Sequence, residues 1–534
     1  MSDYSFSSHT DTSLKDSTYS PAGVPAVQRA IEDKPRPLRV LFAGRSVYHF
    51  SYFESIVRAL IDRGHAVTVL FDEGWSKNQS DDALRCALRD LPELQFDWSR
   101  RRSDKWRKIL FGSRELRTVS SYLRRPEQSD FYIKRWQGYL PEPFRRWLEN
   151  PFFRWVLGLW LTGVSLAGLE RLVPPDAFIA KDLGERKPDV IVGTPGNMRF
   201  SEEIEYVKAA KRMGIPSVIP VLSWDNLTTK GIFHVLPDVI LSWNHAHSKE
   251  AVRVHGARHR RVLIIGSPFF DKWFDPDNLI LNKGAFIERV GLPNHKRFIL
   301  YLGSSRNIAK DETWLVGAIA KEIRTHSDAA IRTLGLLIRP HPANYKIYEQ
   351  IESEGISVWP KHGALPESEE AQRDFFSSLT HCEAVVGINT SGMLDALIAD
   401  RPVFTVMTEK YRKTQRLAEH FQYLTNSDAV YMSDCPSDLV ELIRKLILHR
   451  LDPKKEARQK FINNFIRPFG REVSAGYAGA IAIEGIASGI SPSRIPERIR
   501  RSIEASPLHP TKRGALKRSN MISSPEDKSI PKAV

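Results

Sequence analysis

Two segments decide the fold: 336-LLIRPHPAN-344 and 384-AVVGINTSGMLDALIADRPVFTV-406. Each opens on a short apolar run of the length of a buried strand and closes in a polar cluster at a turn. In the first, Pro340 and Pro342 cannot donate to a strand ladder, so the strand stops there and presents Arg339 and His341 at its carboxyl end. In the second, Asn389-Thr390-Ser391-Gly392 reads as a turn and helix start before the helical spacing of Met393, Leu394, Leu397 and Ile398. Backbone N–H groups and small hydroxyls opposite a strand-end arginine and histidine suit a phosphate. The expectation is an α/β sheet carrying a nucleotide mono- or diphosphate pocket.

Outward from these segments the same alternation continues. Strands are predicted at 298–302, 334–338, 356–359, 384–388 and 402–406, with helices at 312–325, 372–380 and 391–399 and terminal helices at 437–448 and 454–486. Gly303-Ser304-Ser305-Arg306 follows the first of these strands. Nearer the N-terminus, Arg39-Val40-Leu41-Phe42-Ala43 is a strand, Gly44-Arg45-Ser46 its turn, and 66–71 the next strand after a helix, completing a β-α-β unit. Gly44 stands alone without a G-x-G-x-x-G pattern, so a dinucleotide cofactor is not expected. Further strands at 189–193, 215–219, 238–243 and 261–266 finish this half, and the polar loop Leu222 to Gly231 lies at a strand end, where ligand groups collect. Between them, 91–172 breaks into arginines interleaved with Trp106, Trp136, Trp147, Trp155 and Trp160. That stretch reads as a helical insertion, either a flap whose aromatics pack on the domain or an interfacial helix at a membrane. The predicted organisation is a disordered tail at 1–36, a Rossmann-like domain at 37–266, a second at 267–487 and a disordered basic tail at 488–534.

Composition limits the function classes. The 534 residues are 42% hydrophobic and 26% charged, a globular balance sufficient for two full cores. Cys86, Cys382 and Cys435 are the three cysteines and form no C-x-x-C pair, so neither a disulfide framework nor a zinc ribbon is indicated. No basic n-region precedes an apolar stretch at the N-terminus, and the near-apolar run 155–169 falls short of a span of about 20 residues. The expected location is cytoplasmic, soluble or peripheral at the inner face of the membrane. A formal charge of +15 attracts anions, and much of it lies in Arg100-Arg101-Arg102 with Lys105, Arg107 and Lys108, and in the C-terminal tail. No nucleic-acid motif accompanies it. Asp275-Pro276-Asp277 spells a D-x-D on a proline-containing linker, and His245, His247 and His255 lack zinc-ligand company, so no metal site is expected.

Two Rossmann-like halves joined at Gly266-Ser267-Pro268 resemble the GT-B fold of nucleotide-sugar glycosyltransferases. Gly303-Ser304-Ser305 resembles the Gly-Ser turn that meets donor phosphate in many such enzymes. Thr390 to Ala396 with Arg401-Pro402-Val403 resembles their phosphate and ribose segment, although Asp395 stands where glutamate is usual and Asp400 where glycine closes the helix. Arg339-Pro340-His341-Pro342 narrows the likeness to bacterial sialyltransferases, capsule Kdo transferases and CDP-glycerol glycerophosphotransferases, and Asp72-Glu73-Gly74 matches the acid-acid-Gly motif of the sialyltransferases. The resemblance implies a metal-independent transfer of sugar or glycerophosphate from a nucleotide-activated sugar or CDP-alcohol to a glycan or lipid-linked acceptor, without a further cofactor. Donor-binding candidates are Gly303, Ser304, Ser305, Arg306, Arg339, His341, Pro342, Asn389, Thr390, Ser391, Gly392 and Asp395. Such chemistry needs a base, for which His49 is the first candidate and Asp72, Glu73 and Asp225 the others. The competing readings are a UDP-sugar 2-epimerase on the same fold and a non-catalytic basic protein that binds anions or membranes.

Overall fold

The computed structural model describes residues 36–125, 130–274, 280–295 and 297–505. The first sheet comprises β1 (Arg39–Gly44), β2 (Ala66–Phe71), β3 (Gln95–Trp98), β4 (Val190–Thr194), β5 (Ser217–Pro220), β6 (Val239–Ser242) and β7 (Val262–Ile264). The second comprises β8 (Phe298–Leu302), β9 (Gly335–Arg339), β10 (Ile356–Val358), β11 (Ala384–Gly387), β12 (Val403–Val406) and β13 (Tyr431–Ser433). Their orders are β3-β2-β1-β4-β5-β6-β7 and β10-β9-β8-β11-β12-β13. Every neighbouring pair is parallel, as expected when helices cover both faces and strands read as continuous apolar runs. In each sheet the order reverses beside its first strand, between β1 and β4 and between β8 and β11. A crevice opens at the carboxyl ends of such a pair, which is where open α/β sheets hold ligands.

One hydrophobic cluster runs through both halves, joining Ile204, Trp224, Trp243 and Phe270 to Leu300, Val385, Leu394 and Phe465. Each fully buried side chain of this size contributes about 1.5–3 kcal/mol, so the two sheets are fixed to one another by packing as well as by the chain. The chain crosses twice. It leaves the first half at Gly266-Ser267, where the Ser267 N–H donates to the carbonyl of Ile466, which caps the helix Lys455–Phe465 on the returning segment. It then comes back, so the predicted boundaries at 487 and 488 do not hold. The predicted helix 454–486 is two helices, Lys455–Phe465 on the second half and Ala475–Ala487 on the first. Ile481, Ile483, Ile495, Ile499 and Ile503 lie in the core of the first sheet. Ile495–Ala505 is an amphipathic helix with Ile495, Ile499 and Ile503 inward, and so the basic stretch from 488 is ordered at least to 505. Residues 1–35 and 506–534, and with them most of both predicted tails, lie outside the described residues.

The insertion 91–172 opens as strand rather than helix: β3 pairs with β2, and as an edge strand it buries only part of Phe96. Five helices follow, from Trp106–Leu123 to Trp160–Leu172. Tyr122, Tyr132, Trp136, Leu148 and Leu157 make their own small core. Three of the six basic residues in the run beside it are held in ion pairs. Arg101 pairs with Asp72, Arg102 with Asp104 and Glu205, and Arg107 with Glu202. These pairs tie the start of the insertion to the helices Glu73–Ser76 and Glu203–Met213 that flank the sheet.

Candidate functional site

The two crevices face each other across one cleft. On the second half's side, a cavity of ≈ 150 Å³ is lined by Gly303, Arg339, Pro340, His341, Pro342, Thr390, Ser391, Gly392 and Asp395, with Tyr48, Tyr52 and Phe269 opposite. A contiguous cavity of ≈ 330 Å³ is lined by His49, Tyr132, Arg135, Asp225, Lys230, Ser305, His341, Asn389, Thr390, Ser391 and His420. Tyr48, Tyr52, His341, Thr390 and Ser391 belong to both.

Arg339 ends β9 and is 5% exposed. Its guanidinium lies over the Phe375 ring, 4.9 Å from the centroid, and Nη2 has no hydrogen-bond partner among the described residues. Burial lowers it only to about 10, so it stays charged at neutral pH. His341 caps the short helix Pro342–Tyr348, its Nδ1 accepting the Ala343 N–H at 3.0 Å. The neutral ring therefore carries its proton on Nε2, on an imidazole that burial keeps below its ordinary value. Capping and cavity lining are here one role, because the cap fixes the ring against the cleft.

The Gly-Ser turn differs from expectation. The Gly303 N–H donates to the Arg339 carbonyl at 2.9 Å and the Ser304 N–H to the Glu312 carboxylate at 2.6 Å, so neither amide is free for phosphate. Glu312, absent from the expected site, is a buried post: it also accepts from Tyr301 at 3.0 Å and Tyr348 at 2.8 Å. A Cβ at Gly303 would stand 3.2 Å from the Pro340 Cα, and glycine permits the close approach of the two turns. The Ser304 Oγ remains buried without a partner, while Arg306 points to solvent and lines neither cavity. Asn389 is structural in part, donating to the Thr414 carbonyl at 2.7 Å. Burial raises Asp395 to about 7 against the opposing pull of Lys272, and its Oδ1 has no partner. Asp400 adopts φ 55°, the left-handed position that glycine would fill, and Arg458 bonds its carboxylate at 2.8 Å.

Of the four candidate bases, two reach the cleft. His49 is half-buried in the 3₁₀ turn Val47–Tyr52, with its Nδ1 buried and unpartnered among the described residues. Asp225 accepts from Ser223 at 2.6 Å and Thr229 at 2.7 Å and pairs with Lys230 at 3.1 Å. Asp72 and Glu73 line neither cavity. Asp72 caps the helix Glu73–Ser76 through the Trp75 N–H at 2.9 Å and is paired with Arg101, and Glu73 is exposed. An acid-acid-Gly after a strand is here a helix start. His420, Tyr48, Tyr52, Phe269 and Arg135 complete the lining without having been expected. The four-residue spacing of Tyr48 and Tyr52 was a visible signal, whereas His420 had none. Among the described residues no group of three or more His, Cys, Asp or Glu could hold a metal, and Asp275 and Asp277 lie outside them.

No protein-family model matches the chain, and no curated protein matches it in sequence. Solved structures do match in shape. One from Listeria monocytogenes, assigned as a UDP-N-acetylglucosamine 2-epimerase, is 11% identical with a TM-score of 0.50, over 86% of this chain and 98% of its own. The UDP-GlcNAc 2-epimerase of Methanocaldococcus jannaschii is 14% identical with a TM-score of 0.47, over 87% of this chain and all of its own. A glycosyltransferase of Rickettsia africae is 10% identical with a TM-score of 0.45, over 85% and 99%. At such identities the likeness is one of fold. Together with two doubly wound parallel sheets whose crevices share one cleft, it gives the chain the GT-B fold of glycosyltransferases and UDP-GlcNAc 2-epimerases.

Proposed function

We propose that the protein is a glycosyltransferase that moves a sugar, or a glycerophosphate, from a nucleotide-activated donor to a glycan or lipid-linked acceptor. The observation that carries this reading is Arg339: a buried cation at a strand end with an unpartnered Nη2, in one cavity with Gly303, Thr390 and Ser391. Asp374, itself paired with Arg289, only partly offsets this buried charge, and an anionic group in the cleft would relieve the remaining cost. The donor's phosphates fit there, with Arg339 supplying the fixed positive charge that a departing nucleotide requires. Asp395, at the far end of the same cavity, is the group available for the ribose. The acceptor enters on the side of His49, Tyr132 and Lys230, in the larger cavity.

Equilibrium binding of UDP-, CDP-, CMP-, GDP- and dTDP-linked compounds to the full chain tests the reading. At least one is expected to bind, and Arg339→Ala to weaken it by about 2 kcal/mol or more, roughly thirtyfold. Absence of binding across the set, or binding indifferent to Arg339→Ala, removes the proposal. Conversion of a bound UDP-sugar without any acceptor would favour the epimerase reading on the same fold.

A further inference from the structure

The insertion that lines the acceptor side of the cleft turns a second face outward. Trp147, Phe152, Trp155, Trp160 and Leu161 are 56%, 60%, 61%, 71% and 65% exposed, all within the helices Glu142–Trp147, Pro151–Gly158 and Trp160–Leu172. Single exposed apolar residues are ordinary, but five large ones on consecutive helices form a patch that water does not favour. From Trp155 to Leu169 there is no charged residue, and from Glu142 to Leu169 three arginines stand against two glutamates, Arg145 and Arg146 pairing with the exposed Glu142.

The backbone of this face is adapted to a dry medium. The last two helices meet at 64° around Leu159, a break that would leave carbonyls open. At the bend the Val156 carbonyl accepts both the Leu159 N–H at 3.1 Å and the Thr162 hydroxyl at 2.7 Å, and Arg124 reaches the Leu159 carbonyl at 3.3 Å. Ser165 turns its hydroxyl onto the Leu161 carbonyl at 3.0 Å. The polar atoms near the bend are thus bonded internally and the apolar ones are presented outward, as lipid requires and solvent does not. No single helix among the described residues is long and apolar enough to cross a bilayer; this pair has the length and composition only when taken together, across the 64° bend. The bend and the arginines beside it suit a position in the membrane surface.

We propose that this bent helix pair docks the protein on the headgroup region of an anionic bilayer, with Trp147, Trp155 and Trp160 seated at the interface and Arg145, Arg146 and Arg154 against lipid phosphates. The chain's formal charge of +15 adds attraction at a distance. Resting on the functional reading above, docking has a consequence for the acceptor. Tyr132 and Arg135 of the same module line the cleft, and Arg135 and Trp136 bond the Thr229 carbonyl beside Lys230 at 2.7 and 3.3 Å. The acceptor cavity is thereby tied to the docked module, which suits an acceptor carried on a lipid.

Co-sedimentation of the full chain with vesicles of phosphatidylcholine alone, or of phosphatidylcholine with phosphatidylglycerol, tests the docking without any donor. The wild type is expected to partition onto the anionic vesicles and the Trp155→Ser/Trp160→Ser variant to lose about tenfold or more. Hydrogen exchange on the wild type gives a second reading free of any variant, with slowed exchange over 152–161 when anionic vesicles are added. No binding to either vesicle, equal partitioning of the variant, or unchanged exchange over 152–161 overturns the proposal. Self-association in sedimentation velocity that the variant abolishes, without vesicle binding, overturns it in favour of a second copy of the chain.

Discussion

Burial lowers the His49 imidazole to about 3, with Arg45 and then Lys230 adding to the shift, so the ring is neutral and its Nδ1 is unpartnered. Asp225 is the opposite case. Burial opposes its charge, but Lys230, His420 and the hydroxyls of Ser223 and Thr229 outweigh burial and hold it well below the usual carboxylate range. A carboxylate bonded on both oxygens serves poorly as a base and well as a clamp. Its two bonded neighbours Thr229 and Lys230 belong to the loop that Tyr122, Arg135 and Trp136 also hold by its carbonyls. His49 instead brings a neutral ring with an unpartnered nitrogen to the cleft. As it is the base of the proposed transfer, its replacement in His49→Gln is expected to lower kcat by about 10²–10⁴-fold with donor Kd unchanged. Asp225→Asn is expected to appear first in the melting temperature, because Lys230 loses its counter-charge. If the kinetic loss falls on Asp225→Asn and His49→Gln leaves kcat intact, the assignment of roles is wrong. Arg339, His341, Thr390 and Ser391 could be found in the sequence because each sits within a few residues of a strand end. Glu312 could not, since its partners Ser304, Tyr301 and Tyr348 come together only through the sheet.

Among the elements, the returning helix Ala475–Ala487 holds the two halves in register. Its composition, AGYAGAIAIEGIA, reads as helix, but nothing local says that it packs on Glu54–Asp62 in the other half. The packing is close: a Cβ on Gly476 would lie 2.4 Å from the Ser55 carbonyl, so only glycine fits there. Asp271, on the outgoing crossing, ties both crossings together. It accepts from the Ala475 N–H at 3.0 Å, the Gly476 N–H at 2.8 Å and the Ser474 hydroxyl at 2.7 Å, and pairs with Arg467 at 2.9 Å. Removing one partner of a buried pair typically costs about 3–5 kcal/mol, since the other charge is left in place. Asp271→Ala is expected to lose stability on that scale in urea denaturation, and a loss under about 1 kcal/mol would mean that the crossing does not depend on this knot. The helix break at Pro468 to Ser474 was legible only as a proline and a glycine. Strand β3 escaped notice for a different reason, since an edge strand with one half-buried side chain carries almost no apolar period.

For the whole molecule, the α/β alternation was readable because parallel strands buried on both faces are apolar throughout, and the cleft followed from strand order once two switch points were present. Charge was less readable, since a formal +15 does not say which arginines are paired, and in the run at 100–108 Arg101, Arg102 and Arg107 are paired with acids distant in sequence. Those buried ionisable groups also set how stability depends on pH. Burial raises Glu115, Glu203 and Asp395 to about 7 and Glu250 to about 8. The folded state therefore holds protons that the unfolded chain has released, and this contribution is present in acid and lost as pH rises through those values. Burial lowers His49 and His255 to about 3 and His247 and His420 to about 4, so their contribution is present above the ordinary histidine value and lost as pH falls. Between roughly pH 4.5 and 6.5 the two sets oppose one another; above it only the acids titrate. Urea denaturation is expected to show stability falling by on the order of 3 kcal/mol from pH 6.5 to pH 8, at about 1.4 kcal/mol per pH unit for each proton of difference. Glu250→Gln should flatten that limb more than Asp395→Asn does, because the Glu250 value lies higher in the window. A wild-type profile that is level from pH 6.5 to pH 8 would show that these carboxyls are not buried as acids.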